Sequence, residues 1–263
     1  MPSVMVNGVR IAYQEVGAGA PLLLIMGLGA PGALWEKHVE AYARHFRCIL
    51  MDNRGAGESD KPQGPYTTSM MADDAAGLLD HLGIDSARVA GISMGSGIAQ
   101  ELALRHPAKV RSLLLISSWA RCDTYMKEIF LHFQNVRPQL SPGMFTRLLQ
   151  LWIFGPEYFH ANFKELEEAR QASTDEGAMP DHAFSAQCHA CVNHDTLNRL
   201  KDIHQPCLLT VGETDIFTPV RCSLEIAFQL PAARLEIFKA AHCHHWEKLA
   251  EFNEMTTQFL LKN

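Results

Sequence analysis

The feature that most constrains the fold of this chain is a series of apolar runs of strand length, each followed by a stretch of helical character. The runs are "PLLLIMG" at residues 21–27, "CILMD" at 48–52, "RVAGIS" at 88–93 and "RSLLLISS" at 111–118. Continuous apolar runs are typical of strands that are buried on both faces. Strands that alternate with helices pair in parallel through right-handed crossovers. The alternation therefore predicts an α/β fold with a mostly parallel sheet and helices on both of its faces.

Turn and helix signals extend this pattern toward both ends of the chain. Asn7-Gly8 separates two apolar-rich stretches, 4–6 and 9–16, and predicts a β-hairpin because both residues tolerate a positive φ. Residues 68–82 predict a helix capped by Thr68 or Ser69. The remaining predicted elements are strands at 207–215 and 234–240 and helices at 97–105, 221–229 and 246–261.

The alternation breaks between residues 119 and 200, where aromatic residues follow helical spacing and no strand is evident. This stretch is longer than a simple connection. We therefore predict a core formed by residues 1–118 and 201–263 and a helical cap formed by 119–200. A segment of this kind usually covers a binding site, so Trp119 and Trp152 are candidate substrate contacts; the alternative is that they only pack the cap onto the core. The other aromatic residues of the stretch include Phe130, Phe133, Phe154, Tyr158 and Phe159.

Composition argues against several classes of partner. The 263 residues carry a net charge of −6 and no basic run, which predicts binding neither to nucleic acid nor to an anionic membrane. No apolar run approaches the ~20 residues that a spanning helix needs, and the first residues lack the pattern of a signal peptide. The seven cysteines, an odd number, favour reduced thiols and a cytoplasmic location. The oligomeric state stays open, with a homodimer as one alternative.

The run "RVAGIS" ends in a serine whose surroundings are unusual. Ser93 lies in Gly91-Ile92-Ser93-Met94-Gly95, between a predicted strand and a predicted helix. Glycines two residues before and after the serine allow a sharp turn, because side chains there would collide. The turn lifts the hydroxyl out of the strand end, near the positive N-terminus of the helix. This arrangement predicts a nucleophile; the alternative is an ordinary helix-capping serine.

A serine hydroxyl becomes a nucleophile when a base takes its proton and an acid orients that base. Asp215 closes the predicted strand "LLTVGETD", so its carboxylate should emerge at the same sheet edge as Ser93. His242 comes directly off the last predicted strand, in "FKAAHCHHWE". We predict Ser93, Asp215 and His242 as catalytic residues. Glu213, one pleat earlier, is the weaker candidate for the acid, and a turn-forming role is the alternative for Asp215.

Two clusters raise the alternative of a metal or redox site. One combines a C-x-x-C with nearby histidines: Cys188, Cys191, His189 and His194. The other contains three histidines: His242, His244 and His245. No second cysteine pair completes a zinc set, and no helical spacing of carboxylate and histidine accompanies the histidines. We predict no metal and no cofactor, with free thiols at 188 and 191 and with the last two histidines at a helix start or a pocket wall.

The order of serine, aspartate and histidine, together with the segments around them, resembles the α/β-hydrolase fold family. The matching segments are "IMGLG", "DNRGAGES", "GISMG", "GETDIFTP" and "AAHCHHWE", and they cover nearly all of the core. In the last segment His242 stands five residues before Glu247, a spacing frequent in that family. The resemblance implies an eight-stranded, mostly parallel sheet with a helical cap.

The resemblance also implies an oxyanion hole built from the backbone N–H groups of Leu28 and Met94, with Gly27 beside the substrate. Many relatives have His-Gly where this chain has Met26-Gly27, so any polar role of that histidine is absent here. The segment "DNRGAGES" is interpreted as structural, with Asp52 and Arg54 in internal pairs.

A serine nucleophile separates the chain from the haloalkane dehalogenase and epoxide hydrolase branches, which use aspartate. "GLGAPGALW", "SMG" and "AAH" are most similar to 3-oxoadipate enol-lactonases and related carboxylesterases. This implies a serine hydrolase that cleaves a small carboxylic ester or lactone through an acyl-enzyme on Ser93. An anionic lactone would need a cation over the pocket, from Arg121, Arg137 or Arg147, whereas the aromatic cap favours an apolar acyl group. Hydrolysis of a carbon–carbon bond in a diketone-like substrate, and a non-hydrolytic lyase or ligand receptor, are the alternatives.

Overall fold

The computed structural model of the protein describes residues 1–173, 179–230 and 232–263, which form an eight-stranded sheet with helices packed against it. The strands are β1 (Ser3–Val6), β2 (Val9–Val16), β3 (Ala20–Ile25), β4 (Phe46–Met51), β5 (Ala87–Ile92), β6 (Val110–Ile116), β7 (Cys207–Gly212) and β8 (Ala233–Phe238). Their order in the sheet is β1-β2-β4-β3-β5-β6-β7-β8. Only the pairs that involve β2 are antiparallel. This sheet confirms the predicted fold class.

The burial of each strand explains why the sequence shows it so clearly. All residues of β5 and β7 are buried, because both of their neighbours are strands and both of their faces are covered. They therefore have no polar face and appear as apolar runs. At the sheet edge, β8 is partly exposed along its length. The hairpin of β1 and β2 turns at Asn7 and Gly8, whose φ angles are 49° and 75°, as predicted.

Helices cover both faces of the sheet. They are α1 (Glu36–Tyr42), α2 (Thr68–His81), α3 (Met94–Arg105), α4 (Thr124–Val136), α5 (Pro142–Ile153), α6 (Pro156–Ala161), α7 (Phe163–Ala172), α8 (Asp181–Val192), α9 (Val220–Gln229), α10 (His244–Glu247) and α11 (Leu249–Lys262). Leu23 and Ile25 of β3 face a cluster formed with α2, α3 and α9. The alternate residues Leu22 and Leu24 face a second cluster formed with α1 and α11. The sheet is thus the middle of three layers. None of the described helices has the length and apolar character needed to cross a membrane.

Several predicted boundaries were wrong, each for a local reason. Helix α2 is capped by Thr67, whose side chain accepts from the N–H of Met70, so Thr68 is already inside the helix. Helix α3 begins at Met94, directly after the turn, rather than at residue 97. Strand β7 ends at Gly212, so Asp215 lies in the following turn. The predicted last helix is divided at Lys248, where α10 ends and α11 has not begun.

The stretch between β6 and β7 contains helices α4 to α8, and its described residues form no strand of the sheet. We call residues 119–173 and 179–200 the cap segment. Its two ends lie side by side, because Arg121 pairs with Asp195 and the N–H of Thr196 donates to the carbonyl of Ala120 at 2.8 Å. The chain therefore leaves the core and returns to it at one place. Residues 174–178 of the predicted cap lie outside the described residues.

Candidate active site

Ser93 lies on a strained turn between β5 and α3. Its backbone has φ 54° and ψ −117°, a combination that side-chain-bearing residues rarely adopt. Strain of this kind costs on the order of 1–3 kcal/mol and persists only where the surroundings enforce it. Here the N–H of Ser93 donates to the carbonyl of Ile116 in the neighbouring strand at 2.8 Å, and the carbonyl of Ser93 accepts from Ser96 Oγ at 2.6 Å. The serine is therefore fixed from both sides.

The two flanking glycines are required by space. A Cβ on Gly91 would stand 2.2 Å from the carbonyl oxygen of Gly95, and a Cβ on Gly95 would stand 2.2 Å from that of Ile25. Both contacts are with backbone atoms, which cannot move aside as a flexible side chain can. The collision predicted from the sequence thus occurs at both positions, and any side chain there would displace the turn that presents Ser93.

Asp215 is buried and fully hydrogen-bonded. Its Oδ1 accepts from the backbone N–H groups of Phe217 and Thr218, both at 2.8 Å. Its Oδ2 accepts from His242 Nδ1 at 2.9 Å and from Thr218 Oγ1 at 2.9 Å. Burial alone raises the pKa of this carboxyl, but the adjacent His242 and the Thr218 hydrogen bonds outweigh burial and leave the pKa below its ordinary value. Asp215 is thus held as a carboxylate.

His242 is brought to the serine through β6. Its carbonyl accepts from Ser117 Oγ at 2.8 Å, and Ser117 follows Ile116, the residue that binds the N–H of Ser93. Among the described residues no hydrogen bond joins Ser93 Oγ to the imidazole. Catalytic hydrogen bonds are often long in unliganded structures and shorten when substrate binds. With Nδ1 bound to Asp215, the free Nε2 is the atom available to accept a proton.

The neighbouring candidates Glu213, His244 and His245 have surroundings that differ from those of Asp215 and His242. Glu213 is exposed at the surface. His244 and His245 begin α10, as predicted, and are buried. His244 Nε2 lies 2.9 Å from Thr210 Oγ1, and burial lowers the pKa of His244 to about 3. Burial also lowers the pKa of His245 well below its ordinary value, so both rings are neutral packing groups.

Gly27 and Met94 border Ser93, and Leu28 follows Gly27 in the same loop. A Cβ on Gly27 would lie 3.2 Å from Ser93 Cβ, which places this loop directly over the turn. Met94 is the first residue of α3, so its N–H has no partner within the helix. Within the described part of the chain, neither this N–H nor that of Leu28 donates to a protein acceptor. Unpaired backbone N–H groups in segments that adjoin a serine are the kind of donor that binds an oxyanion.

The loop that carries Leu28 is ordered by the cap segment. Gln187 of α8 is buried, and its Oε1 accepts from the N–H of Gly29 at 2.8 Å. Its Nε2 donates to the carbonyl of Arg54 at 2.8 Å. Asn53 Nδ2 also donates to the carbonyl of Met26 at 2.9 Å. The loop is therefore fixed at both ends, and Gln187 is a residue that sequence reasoning missed.

Aromatic side chains of the cap segment pack against Phe217, which in turn contacts His242. The Phe217 ring lies 5.1 Å from the His242 ring and stacks on Phe133 at 5.5 Å. Trp152 packs edge-on against both phenylalanines, at 6.3 and 5.5 Å. Trp119 is fully buried and packs against Phe130 and His194, so it presents no surface to a ligand. Phe217 was also missed, although it stands two residues after Asp215.

The three candidate cations have different surroundings. Arg121 is exposed and paired with Asp195, and Arg147 is exposed. Arg137 pairs with Asp181 at 3.4 Å and is largely enclosed, with its guanidinium 5.0 Å from the ring of Phe184 and 5.2 Å from that of Phe145. Phe184 in turn lies against Gly29 of the Leu28 loop. Arg137 is therefore the cation with a packing connection to the loop beside Ser93.

The C-x-x-C motif lies in the interior of the protein. Cys188 and Cys191 are free thiols that lie buried on α8. Burial raises the pKa of Cys188 to about 12. In the described ranges no three His, Cys, Asp or Glu side chains are placed to hold a metal ion.

Asp52 and Arg54 do form internal bonds, but not with each other. Arg54 pairs with Asp74 of α2 at 2.6 Å, whereas Asp52 accepts from the N–H of Gly32 at 2.6 Å.

The sheet order and the strand–serine–helix turn define the class of α/β enzymes that carry a nucleophile at the end of a central strand. Comparisons with known proteins agree. A family model described as alpha/beta hydrolase fold matches residues 20–249. "Putative carbamate hydrolase RutD" from Azorhizobium caulinodans is 32% identical over 98% of this chain and 98% of its own length. The chain belongs to the α/β hydrolase fold family and is a hydrolase of that fold.

Two solved structures show how closely the whole architecture is shared. The enol-lactonase from Burkholderia xenovorans LB400 aligns with a TM-score of 0.91 and 25% identity, over 99% of this chain and 100% of its own. A meta-cleavage product hydrolase from Pseudomonas fluorescens IP01 aligns with a TM-score of 0.84 and 25% identity, over 100% of this chain and 98% of its own. Similar backbones of this family thus belong to enzymes with different names, so the reaction has to be argued from the site.

Proposed function

We propose that the protein is a serine hydrolase that cleaves a carboxylic ester or a lactone without a cofactor. The observation that carries this proposal is the 2.9 Å hydrogen bond from His242 Nδ1 to the buried Asp215 carboxylate. This base is anchored to Ser117, next to the residue that binds Ser93. An imidazole oriented by a carboxylate, a serine on a strained turn and unpaired backbone N–H groups are the groups that acyl transfer requires.

The reaction proceeds in two halves. Ser93 Oγ attacks the carbonyl carbon while its proton moves to His242 Nε2, and Asp215 stabilises the resulting imidazolium. The N–H groups of Leu28 and Met94 bind the oxyanion. The bond to the leaving oxygen then breaks, and that oxygen takes the proton from His242. Water attacks the acyl-enzyme in the second half with His242 as base, and the acid product leaves with Ser93 restored.

The substrate we propose is small and largely apolar on the side that faces the cap segment. The wall nearest His242 is aromatic, formed by Phe217 with Trp152 packed edge-on against it. The structural similarity to an enol-lactonase supports a lactone. The seven buried, unpaired thiols support a cytoplasmic location.

A carbamate is the second candidate substrate. The relative named as a carbamate hydrolase supports it, with 32% identity over nearly the whole chain. The same attack by Ser93 serves a carbamate carbonyl.

The carbon–carbon bond alternative is supported by the similarity to the meta-cleavage product hydrolase. Product analysis on matched ester, lactone, carbamate and diketone-like substrates separates the three.

The first test is hydrolysis of short-chain nitrophenyl esters by the wild type and by Ser93→Ala. We expect the alanine variant to lose at least about 10³-fold in kcat, because residual catalysis then comes only from binding and the oxyanion donors. A fluorophosphonate should add one adduct, located by mass spectrometry on Ser93. Undiminished turnover by Ser93→Ala would refute the assignment of the nucleophile.

A further inference from the structure

Glu247 connects the loop of His242 to the cap segment. It lies at the end of α10, and its Oε1 accepts from two backbone N–H groups. One belongs to Ala241, the residue before His242, at 3.1 Å. The other belongs to Gly155, between α5 and α6 of the cap segment, at 3.0 Å. A single carboxylate oxygen thus holds two segments that are far apart in sequence.

Two other bonds act on the same loop. The N–H of Cys243 donates to the carbonyl of Ile153 at 2.9 Å, and the carbonyl of His242 accepts from Ser117 Oγ at 2.8 Å. Residues 241, 242 and 243 therefore each have at least one backbone hydrogen bond to a group outside the tripeptide, among them the three bonds just described. Two of these three bonds lead to cap residues 153–155, either directly or through Glu247. The position of the base is consequently set in part by the cap segment.

Gly155 and the Glu247 carboxylate are closely packed. Gly155 is buried, and a Cβ built on it would stand 3.0 Å from Glu247 Oε2. Next to it, Phe154 stacks on Trp246, the residue before Glu247, with ring centroids 6.0 Å apart. If the carboxylate were removed, the N–H of Gly155 would be left buried without its acceptor. The Ala241 N–H would lose the same partner, and the loop would be free to shift toward another one.

We propose that Glu247 is a positioning residue that couples the cap segment to the catalytic base, an inference that rests on the function proposed above. Its carboxylate sets the distance between residues 153–155 and the loop 241–243. A cap segment seated on substrate then holds His242 in the orientation that Asp215 and Ser93 require. Glu247 itself touches no reacting atom, so its removal should affect the chemical step more than substrate binding.

The test compares three variants by steady-state kinetics, with kcat expressed per active site as titrated by a fluorophosphonate. Glu247→Ala should lower kcat about tenfold and change KM less than twofold. Glu247→Gln keeps an acceptor oxygen and should stay within about threefold of the wild type. Gly155→Ala crowds the carboxylate from the cap side and should lower kcat in the same direction. Glu251→Ala, at an exposed site on α11, is the matched control and should have no effect.

A double-mutant cycle decides whether the two segments act through one contact. The Glu247→Ala, Gly155→Ala double variant should be no slower than the slower single variant, because the shared bond is already lost. The proposal is overturned if Glu247→Ala keeps its kcat per active site, if Glu247→Gln loses as much as the alanine variant, or if the two losses multiply. Failure of the proposed function gives a different result, since Ser93→Ala would then remain active. Should Glu247→Ala not fold, the glutamine and Gly155→Ala variants still give the comparison.

Discussion

Two serines near the site have a positive φ, a backbone conformation that is rare among the other non-glycine residues of the described chain. Three non-glycine residues of that part have a positive φ: Asn7, Ser93 and Ser117. Asn7 belongs to a hairpin, where the turn type demands it. The other two lie at the ends of the adjacent strands β5 and β6. Ser117 uses its conformation to bind His242 through its side chain and Thr210 through its N–H, so the strain is concentrated where the triad is assembled.

Thr218 gives a prediction at the residue scale. Its hydroxyl lies 2.9 Å from Asp215 Oδ2 and 3.2 Å from the carbonyl of Ser117, and so joins the acid to the residue that holds the base. Thr218→Val keeps the shape and removes the hydroxyl. We expect kcat/KM for a nitrophenyl ester to fall about tenfold, equivalent to about 1.4 kcal/mol, because the carboxylate loses a hydrogen bond. Thr218→Ser retains the hydroxyl and should stay near the wild type; equal losses in both variants would contradict this role.

At the scale of elements, the start of α3 determines whether the serine turn can form. Gly95 and Gly97 lie on the same helix, but a Cβ on Gly95 meets the backbone of Ile25 at 2.2 Å, whereas a Cβ on Gly97 meets only the His194 side chain, at 3.2 Å. Alanine normally stabilises a helix relative to glycine by up to about 1 kcal/mol. We expect Gly97→Ala to change the free energy of unfolding little and Gly95→Ala to lower it by about 3 kcal/mol. Urea titrations check this, and similar midpoints for the two variants would contradict it.

The elements themselves were largely readable from the sequence. Buried parallel strands such as β3, β5 and β6 have no polar face, so each appears as a continuous apolar run. Their order then brings Ser93, Asp215 and His242 to one edge, because residues that follow parallel strands meet there. The ends of helices were harder to predict. At the start of α2 the cap is Thr67 rather than Thr68 or Ser69, because all three residues can cap a helix.

Contacts between distant segments could not be predicted from one sequence. Gln187 binds Gly29 across 158 positions, and Glu247 binds Gly155 across 92. Neither contact produces a period, a cap or a turn that a local pattern could show. The spacing of His242 and Glu247 was visible, but its meaning depends on which backbone N–H groups the fold brings to the carboxylate. Tertiary hydrogen bonds of this kind cannot be predicted from local sequence patterns.

At the scale of the whole molecule, several histidines are folded into the interior as neutral groups. Burial lowers the pKa of His38 to about 4, of His194 to about 4 and of His244 to about 3. Their partners are uncharged: His38 Nδ1 lies 2.6 Å from Asn253 Oδ1, and His194 Nδ1 lies 2.9 Å from Thr68 Oγ1. No carboxylate bonds to any of these three rings in the described structure. Protonation inside the fold is therefore costly.

This arrangement predicts instability in mild acid. Above pH 6.5 these histidines are neutral in both the folded and the unfolded chain, so they add no pH dependence. Below it the unfolded chain, with ordinary histidine pKa values near 6.5, binds protons that the folded chain excludes until about pH 4. Each such histidine should therefore lower the free energy of unfolding by about 2 kcal/mol between pH 7 and pH 5. Urea midpoints at these two pH values measure the sum. His194→Gln should reduce the fall in the urea midpoint between pH 7 and pH 5, whereas His160→Gln, at an exposed site, should not. An equal urea midpoint at the two pH values would show that the buried rings titrate as they do in water.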